Sequence, residues 1–380
     1  MKLIYLTSKK YPGKTADHNF VKNIAREFSL KLGEEFLFVV ADYKGNDLEK
    51  INYLSSEWKM ERGKSFFYFF WILRLYFRNR KEDVVFFSND PYLLLILIFW
   101  KGIFRFRYKI VSDWHQMWQD LKDRIIAQGS DLLITTSERL KDNLVRKTGV
   151  MAEKILVARG GANIPERNIS ELKVKKFIKL KIREELDLPV DEKLVGYVGG
   201  FKTMGMEKGV KTLIESFHQL KVYKVNLVLV GGKEEEVKEY KELAEKEGVL
   251  ERVIFRGWQT EESLLEYEQA MDILVIPYLD EPHFREWGFP MKVYEYMASG
   301  TPIIYSDLEI IREVLEEKAV SFKAGDAGDL AEKIKFLIED KNKGEKMAKE
   351  AMASVKNFTW ESRTEKIINF VRENEYILYN

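Results

Sequence analysis

The sequence predicts an α/β protein built as two doubly wound, Rossmann-like domains. Three observations carry that reading. Short apolar runs alternate with amphipathic stretches along the whole chain, the pattern of helices layered on parallel sheets. At 380 residues the chain exceeds what one hydrophobic core normally supports. A stretch rich in Gly, Asn and Pro at 159–167, RGGANIPER, interrupts the alternation near its middle. The domains expected are 1–165 and 166–360.

In the first half the strand candidates are 3–7, 36–41, 84–88, 109–112, 132–135 and 155–158. In the second they are 194–198, 226–230, 253–256, 273–277 and 303–305. Each is a nearly continuous apolar run, too short for a helix, as expected of strands covered on both faces. Residues 170–186 form a basic-to-acidic amphipathic stretch that leads into the second half. No short-period repeat or low-complexity tract is present.

Composition bounds the chemistry. With 46% hydrophobic and 32% charged residues the chain is globular. The absence of cysteine excludes disulfides, cysteine–zinc sites and thiol nucleophiles, and is compatible with a reducing compartment. The opening MKLIYLTSKKYPG reads as a strand and is too short for a secretory core. The net charge of +1 hides an asymmetry. Residues 1–165 carry 28 Lys and Arg against 19 Asp and Glu, and residues 166–380 carry 34 against 42. A basic first half suggests an anionic surface or ligand on that side.

Two segments set aromatic and aliphatic side chains beside Arg and Lys: 65–81, SFFYFFWILRLYFRNRK, and 92–109, YLLLILIFWKGIFRFRYK. Neither reaches the length of roughly 18 apolar residues needed to span a bilayer. For 65–81 an interfacial helix is the expectation, because rings cover nearly every helical face. The stretch 93–99 reads equally well as a buried helix whose flanking Arg side chains reach solvent.

The most informative stretch is 286–304, EWGFPMKVYEYMASGTPII. Its loop, with Gly288, Phe289, Pro290 and Met291, leads into a short helix ended by Gly300. Such a junction turns free N–H groups toward an anion, and a carboxylate one turn in, Glu295, suits sugar or ribose hydroxyls better than phosphate. The bland alternative for Glu295 alone is a solvated helix face. In 195–217, VGYVGGFKTMGMEKGVKTLIESF, a strand ends at Val198 and a loop with Gly199, Gly200 and Lys202 follows. Lys208 then precedes a helix starting near Val210, a layout that offers an ammonium to phosphate. Residues 8–15, SKKYPGKT, nearly match a P-loop, but Ser8 replaces its first Gly and DHNF separates it from the helical pattern at 21–28, so chance is the better explanation.

His115 follows the strand at 109–112 with Asp113 two residues before it, and either could act as a base or bind a hydroxyl. A capping Asp with a packed aromatic corner is the structural alternative. His18 lies in the first loop, His283 just ahead of the 286–304 motif, and His218 in a helical pattern. No His or carboxylate spacing fits a metal, so none is expected.

These residues together resemble the retaining nucleotide-sugar glycosyltransferases of family 4, which have the GT-B fold. The resemblance runs over most of the chain: YVGGF…EKGVKTLIESF, NLVLVGGKEEEVKEYKELAEKEGVLERVIFRGW, MDILVIPY, FPMKVYEYMASGTPII, GDAGDLAEKIKFLIED and FTWES in the second half, and DLLITTSERLKDNL, KILVARGGAN and His115 in the first. It implies an acceptor-binding first domain, a donor-binding second domain, a cleft between them, and a C-terminal helix, 361–380, that crosses back to the first. By the same resemblance Lys208 meets the donor diphosphate, Glu295 the ribose and His115 the transferred sugar. Gly199, Gly200, Lys202, Glu286, Gly288, Phe289, Pro290 and Met291 would line the donor, and Trp258 with Gly257 its base.

Three places depart from the family. Gly200 stands where an Arg is usual, with Lys202 the candidate substitute. Trp287 stands where a second Glu is usual, with Glu286 one residue away. The first loop, KTADHNF, lacks the usual Gly-Gly. The segments SNDPYLLL and VSDWHQMW also resemble the inverting β-mannosyltransferases that act on lipid-linked chitobiose, so retention and inversion both stay open; inversion would require Asp17, His18 or Asp113 as base.

The expected activity is transfer of a hexose from a UDP- or GDP-sugar, without metal or cofactor, to a glycan or lipid-diphosphate acceptor. It would take place at the cytoplasmic face of an anionic membrane, with no nucleic acid involved. The alternatives are a non-catalytic binding subunit of the same fold, a nucleotide-sugar epimerase or hydrolase, and a nucleotidase built on 8–15.

Overall fold

All eleven apolar runs are strands, and each belongs to a parallel sheet. The structure, a computed structural model, describes residues 1–11, 13, 16–40, 42–43, 51, 53–55, 65–163 and 172–374. The chain divides into two compact units. One comprises Met1–Gly161, Glu286–Gly288 and Phe358–Asn380, the other Ala162–Arg285 and Phe289–Asn357.

The sheet of the first unit contains β1 (Lys2–Leu6), β2 (Phe36–Val40), β3 (Tyr53–Ser55), β4 (Val84–Ser88), β5 (Lys109–Trp114), β6 (Leu132–Thr135) and β7 (Ile155–Val157). Their order is β3-β2-β1-β4-β5-β6-β7, parallel throughout. The second unit's sheet contains β8 (Lys193–Val198), β9 (Val225–Val230), β10 (Val253–Arg256), β11 (Ile273–Ile276), β12 (Ile303–Ser306) and β13 (Val320–Phe322). It is also parallel, in the order β10-β9-β8-β11-β12-β13. The apolar runs read this way because helices cover both faces: every residue of β4, β6, β11 and β12 is buried. Within these two sheets β3 and β13 escape the sequence reading, both three-residue edges whose runs, YLS and VSF, are too short and mixed to signal.

Helix starts follow side-chain chemistry. Asp90 caps the helix Pro91–Phe104, its Oδ1 accepting from the N–H groups of Tyr92 (2.9 Å) and Leu93 (3.3 Å), with Pro91 at the first helical position. Ser137 and Thr359 do the same for Glu138–Thr148 and Trp360–Glu373. That last helix packs on Ala16–Leu32 within the first unit. Residues 375–380 of the expected 361–380 helix, and part of the 159–167 boundary, lie outside the described residues.

The segment 65–81 supplies a helix, Ser65–Asn79, whose packing corrects the expectation of an interfacial helix in one respect. Tyr68, Ile72 and Leu75, spaced as one face, are buried in the first unit's core, and the Tyr68 hydroxyl donates to the carbonyl of Thr7 at 3.0 Å. Phe70 and Phe77 stay exposed. The helix Pro91–Phe104 repeats the pattern, burying Leu93, Leu94, Leu97 and Trp100 while Phe99, Ile103 and Phe104 face solvent. Among the described residues no helix is long and apolar enough to cross a membrane.

Candidate functional site

In the second sheet the chain winds outward from β8 in one direction and from β11 in the other. Neighbouring strands that part in this way leave a crevice at their carboxyl ends, where open α/β sheets bind ligands. Gly199 follows β8 there, and Pro277 and Tyr278 follow β11. The Gly199 backbone is fixed from below: the N–H of Val198 donates to the Tyr296 hydroxyl at 2.8 Å, and the Tyr197 hydroxyl donates to the carbonyl of Gly200 at 2.8 Å.

Lys208 reaches this crevice through a small antiparallel ladder, Lys202–Thr203 with Met206–Glu207. Gly209 then begins the helix Val210–Ser216 with φ 85°, and a Cβ on it would lie 1.6 Å from the carbonyl oxygen of Pro277. The backbone must therefore rest directly on the end of β11. We expect Gly209→Ala to destabilise the fold by on the order of 3 kcal/mol, combining left-handed strain with overlap. Thermal unfolding checks this, with a midpoint about 5–10 °C below wild type.

The Lys208 ammonium lies over the Tyr278 ring, 5.9 Å from its centre. Burial, and next the neighbouring Lys292 ammonium, push its pKa down to about 8. Lys292 was not singled out in the sequence. It opens the helix Lys292–Ser299, pairs with the Oε2 of Glu295 at 3.3 Å, and lies against Gly199, where a Cβ would fall 1.9 Å from its Cε. The i,i+3 spacing of Lys292 and Glu295 in MKVYEY was the available signal. Glu295 is the fourth residue of this helix, about one turn in from its positive end. Behind it Glu268 is buried, and burial together with the Glu295 charge raises its carboxyl far above the usual range. His283 is half-buried in the helix Pro282–Glu286, and burial, then Lys208, lower its pKa.

Phe289 stacks on Tyr294 with ring centres 5.0 Å apart, and Pro290 and Met291 start the helix through their carbonyls, which accept from Val293 (3.1 Å) and Tyr294 (3.0 Å). Beyond β9 and β10 a pocket of about 580 Å³ is lined by Gly232, Lys233, Glu234, Val237, Lys241, Phe255, Gly257 and Trp258. Trp258 is largely exposed at its rim.

Three residues expected to line the donor are placed as follows. Lys202 is not drawn to Lys208; its Nζ pairs with Glu239 at 2.6 Å, because the ladder turns it toward the helix Glu234–Lys246. Glu286 and Gly288 fall in the first unit. Glu286 accepts from Arg139 Nε (3.2 Å) and Asn143 Nδ2 (2.8 Å). Burial raises its carboxyl, but these partners outweigh that and hold it low. Trp287 is buried in the core of the same unit, beneath the Lys147 ammonium at 5.2 Å.

In the first unit β5 runs two residues further than expected and carries Asp113. Asp113 accepts from Arg363 Nη2 at 2.7 Å and meets His115 Nε2 at 3.2 Å. Its side chain is fully buried, so it cannot touch an acceptor and stands behind His115. His115 is partly exposed, with the Phe20 ring 4.1 Å away. His18 is not in a loop. The helix Ala16–Leu32 begins before it, and its ring occupies the space a Cβ on Gly13 would need. Residues 12, 14 and 15 of SKKYPGKT lie outside the described residues. Among the described residues no group of three or more His, Cys, Asp or Glu could hold a metal ion.

Two parallel-sheet α/β units, the second with a cation pair and a carboxylate at its switch point, make up the GT-B fold. Residues 178–353, most of the second unit, match the family model of glycosyl transferases group 1. The chain is 24% identical over 254 residues to a D-inositol 3-phosphate glycosyltransferase of Corynebacterium diphtheriae, covering 64% of this chain and 56% of the relative. It is 35% identical over 147 residues to the N,N'-diacetylbacillosaminyl-diphospho-undecaprenol alpha-1,3-N-acetylgalactosaminyltransferase of Campylobacter jejuni, covering 38% and 36%. The chain thus spans about half the length of the curated relatives it matches. The crystal structure of Anabaena HepE in complex with UDP superposes with a TM-score of 0.77 at 19% identity, over 98% of this chain and 100% of that one.

Proposed function

We propose that this chain transfers a hexose from a UDP- or GDP-sugar to an acceptor hydroxyl. The observation that carries the reading is the grouping of Lys208, Lys292 and Glu295 around Gly199 at the sheet's switch point. Two ammoniums suit a diphosphate, and Glu295 accepts hydrogen bonds from the ribose. The pocket under Trp258 is large enough to take the base. Relatives support the donor class: HepE is solved with UDP and with UDP-glucose.

In the reaction the bond between the sugar C1 and the β-phosphate oxygen breaks, and its electron pair stays on the diphosphate. A bond forms from C1 to the acceptor oxygen. The acceptor proton passes to the departing phosphate oxygen if configuration is retained, or to a base if it is inverted. Lys208 and Lys292 neutralise the charge that grows on the diphosphate, so no metal ion is needed for that step. His115, on the first unit, binds a substrate hydroxyl. Incubation of the protein with UDP- and GDP-sugars, with and without glycan and lipid-diphosphate acceptors, tests the reading. Nucleoside diphosphate should appear only with acceptor. Turnover without acceptor would indicate an epimerase or hydrolase, and donor binding without turnover a non-catalytic subunit.

The acceptor side is proposed to lie at the cytoplasmic face of a membrane. Phe70, Phe77, Phe99 and Phe104 are exposed and linked by ring contacts through Phe69, Trp100 and Phe106. Exposed Arg74, Arg78, Arg105 and Arg107 lie on the same two helices and the loop that follows. Rings for the acyl boundary beside cations for head groups suit an anionic interface. The Campylobacter relative is named for an undecaprenol-linked diphosphate. The chain should sediment with phosphatidylglycerol vesicles at low salt, and Phe77→Ser with Phe104→Ser should weaken that binding about tenfold. Equal recovery with neutral vesicles, or none with either, would refute the membrane assignment.

A further inference from the structure

The Asp113–His115 pair does not end at Asp113. Arg363, on the helix Trp360–Glu373, is fully buried, and its Nη2 donates to Asp113 Oδ1 at 2.7 Å while Oδ2 faces His115 Nε2 at 3.2 Å. Both side chains of this ion pair are 0% exposed. The same guanidinium lies over the Phe20 ring, 5.1 Å from its centre. Phe20 in turn meets the His115 ring at 4.1 Å and Trp360 at 5.1 Å. One side chain thus backs His115 on two sides, through a carboxylate and through an aromatic ring.

As a stabilising device alone the arrangement is poor. Nε and Nη1 of Arg363 are buried with no hydrogen-bond partner among the described residues. A buried ion pair is generally matched or bettered in stability by apolar side chains of similar volume. Its use is geometric. The Asp113 pKa is lowered: burial would raise it, but Arg363 and then His115 prevail. As a carboxylate, Asp113 can only accept hydrogen bonds, so His115 must donate from Nε2, and the neutral ring keeps a bare Nδ1.

We propose that Arg363 is a positioning residue for His115, fixing the Asp113 carboxylate so that the imidazole is held in the Nε2–H form and offers Nδ1 as an acceptor for a substrate hydroxyl. The inference rests on the transferase reading for the identity of that hydroxyl, and on geometry alone for the tautomer. It also gives the final helix a role in the site, since the chain returns to the first unit at Phe358 and places Arg363 there within two turns.

The test is Asp113→Asn in protein labelled with ¹⁵N-histidine. Only four histidines are present, and His115→Gln assigns the signal. Wild type is expected to show a protonated Nε2 and a bare Nδ1. In Asp113→Asn, Arg363 claims the amide oxygen and turns the NH₂ toward Nε2, which must then accept, so His115 switches to the Nδ1–H form. If Arg363 does not orient this position, the amide turns its oxygen to His115, the Nε2–H form persists, and the inference is overturned. Should Asp113→Asn not fold, Arg363→Met reads the same point: a mixture of tautomers supports it and a wild-type spectrum refutes it. In transfer assays both variants should lose about tenfold or more in kcat with donor KM little changed, the mark of lost orientation, not lost binding. The tautomer switch without any detectable transfer in wild type would count against the enzymatic reading and leave the positioning role standing.

Discussion

Lys208→Ala is expected to lower both donor affinity and transfer by about 100-fold or more, the scale of removing one preorganised charge from a developing anion. The side chain is largely buried over Tyr278 and sits beside Lys292, so its charge is poorly screened by solvent. The same surroundings make the effect depend on pH. With its pKa lowered to about 8, Lys208 is an ammonium at pH 7 and largely neutral at pH 9 in the unliganded protein. A diphosphate that requires the ammonium then binds at full strength below about pH 8 and loses up to about tenfold per pH unit above it. Donor affinity measured from pH 6.5 to 9.5 checks the sign. Lys208→Arg, charged throughout, should flatten the curve. An affinity that rises with pH would contradict the assignment.

Glu295→Ala is expected to weaken donor binding by about 10- to 100-fold, because hydrogen bonds to a charged group contribute about 1.5–3 kcal/mol. Two consequences separate this from nonspecific damage. Glu295 is partly exposed at the first turn of its helix and pairs with Lys292 at 3.3 Å, so the melting temperature of the unliganded protein should fall by no more than about a few degrees. A donor analogue lacking the ribose hydroxyls should bind wild type and Glu295→Ala alike. If the analogue still distinguishes them, Glu295 acts on another part of the donor or only through Lys292.

Much of this was legible in the residues. Parallel strands covered on both faces print as short apolar blocks, so the two sheets could be read directly, down to the loops at Gly199 and ahead of Lys292. Edge strands such as Tyr53–Ser55 and Val320–Phe322 carry no such imprint. Lys208 and Glu295 could be named because a Gly-flanked Lys before a helix and a Glu behind a loop–helix junction have few other uses together. Lys292 showed only an i,i+3 spacing to Glu295, since its place depends on the missing Cβ of Gly199, whose space its side chain fills. Lys202 misled for the converse reason: nearness in sequence to the loop does not fix direction, and the short ladder sends it to Glu239. Glu286 and Trp287 adjoin the donor motif in sequence but belong to the first unit, where Glu286 is held by Arg139 and Asn143 and Trp287 is buried in an apolar core, all more than 100 residues away along the chain. Arg363 was invisible because it lies 250 positions from Asp113.

Isothermal titration of wild type and Lys208→Ala with UDP, GDP and their sugar conjugates, in buffer containing a chelator, tests the central claim most directly. One nucleotide series should saturate the wild-type protein at a single site, with the Lys208→Ala variant binding about 100-fold more weakly. No binding by either series, or equal binding by the two proteins, would contradict it.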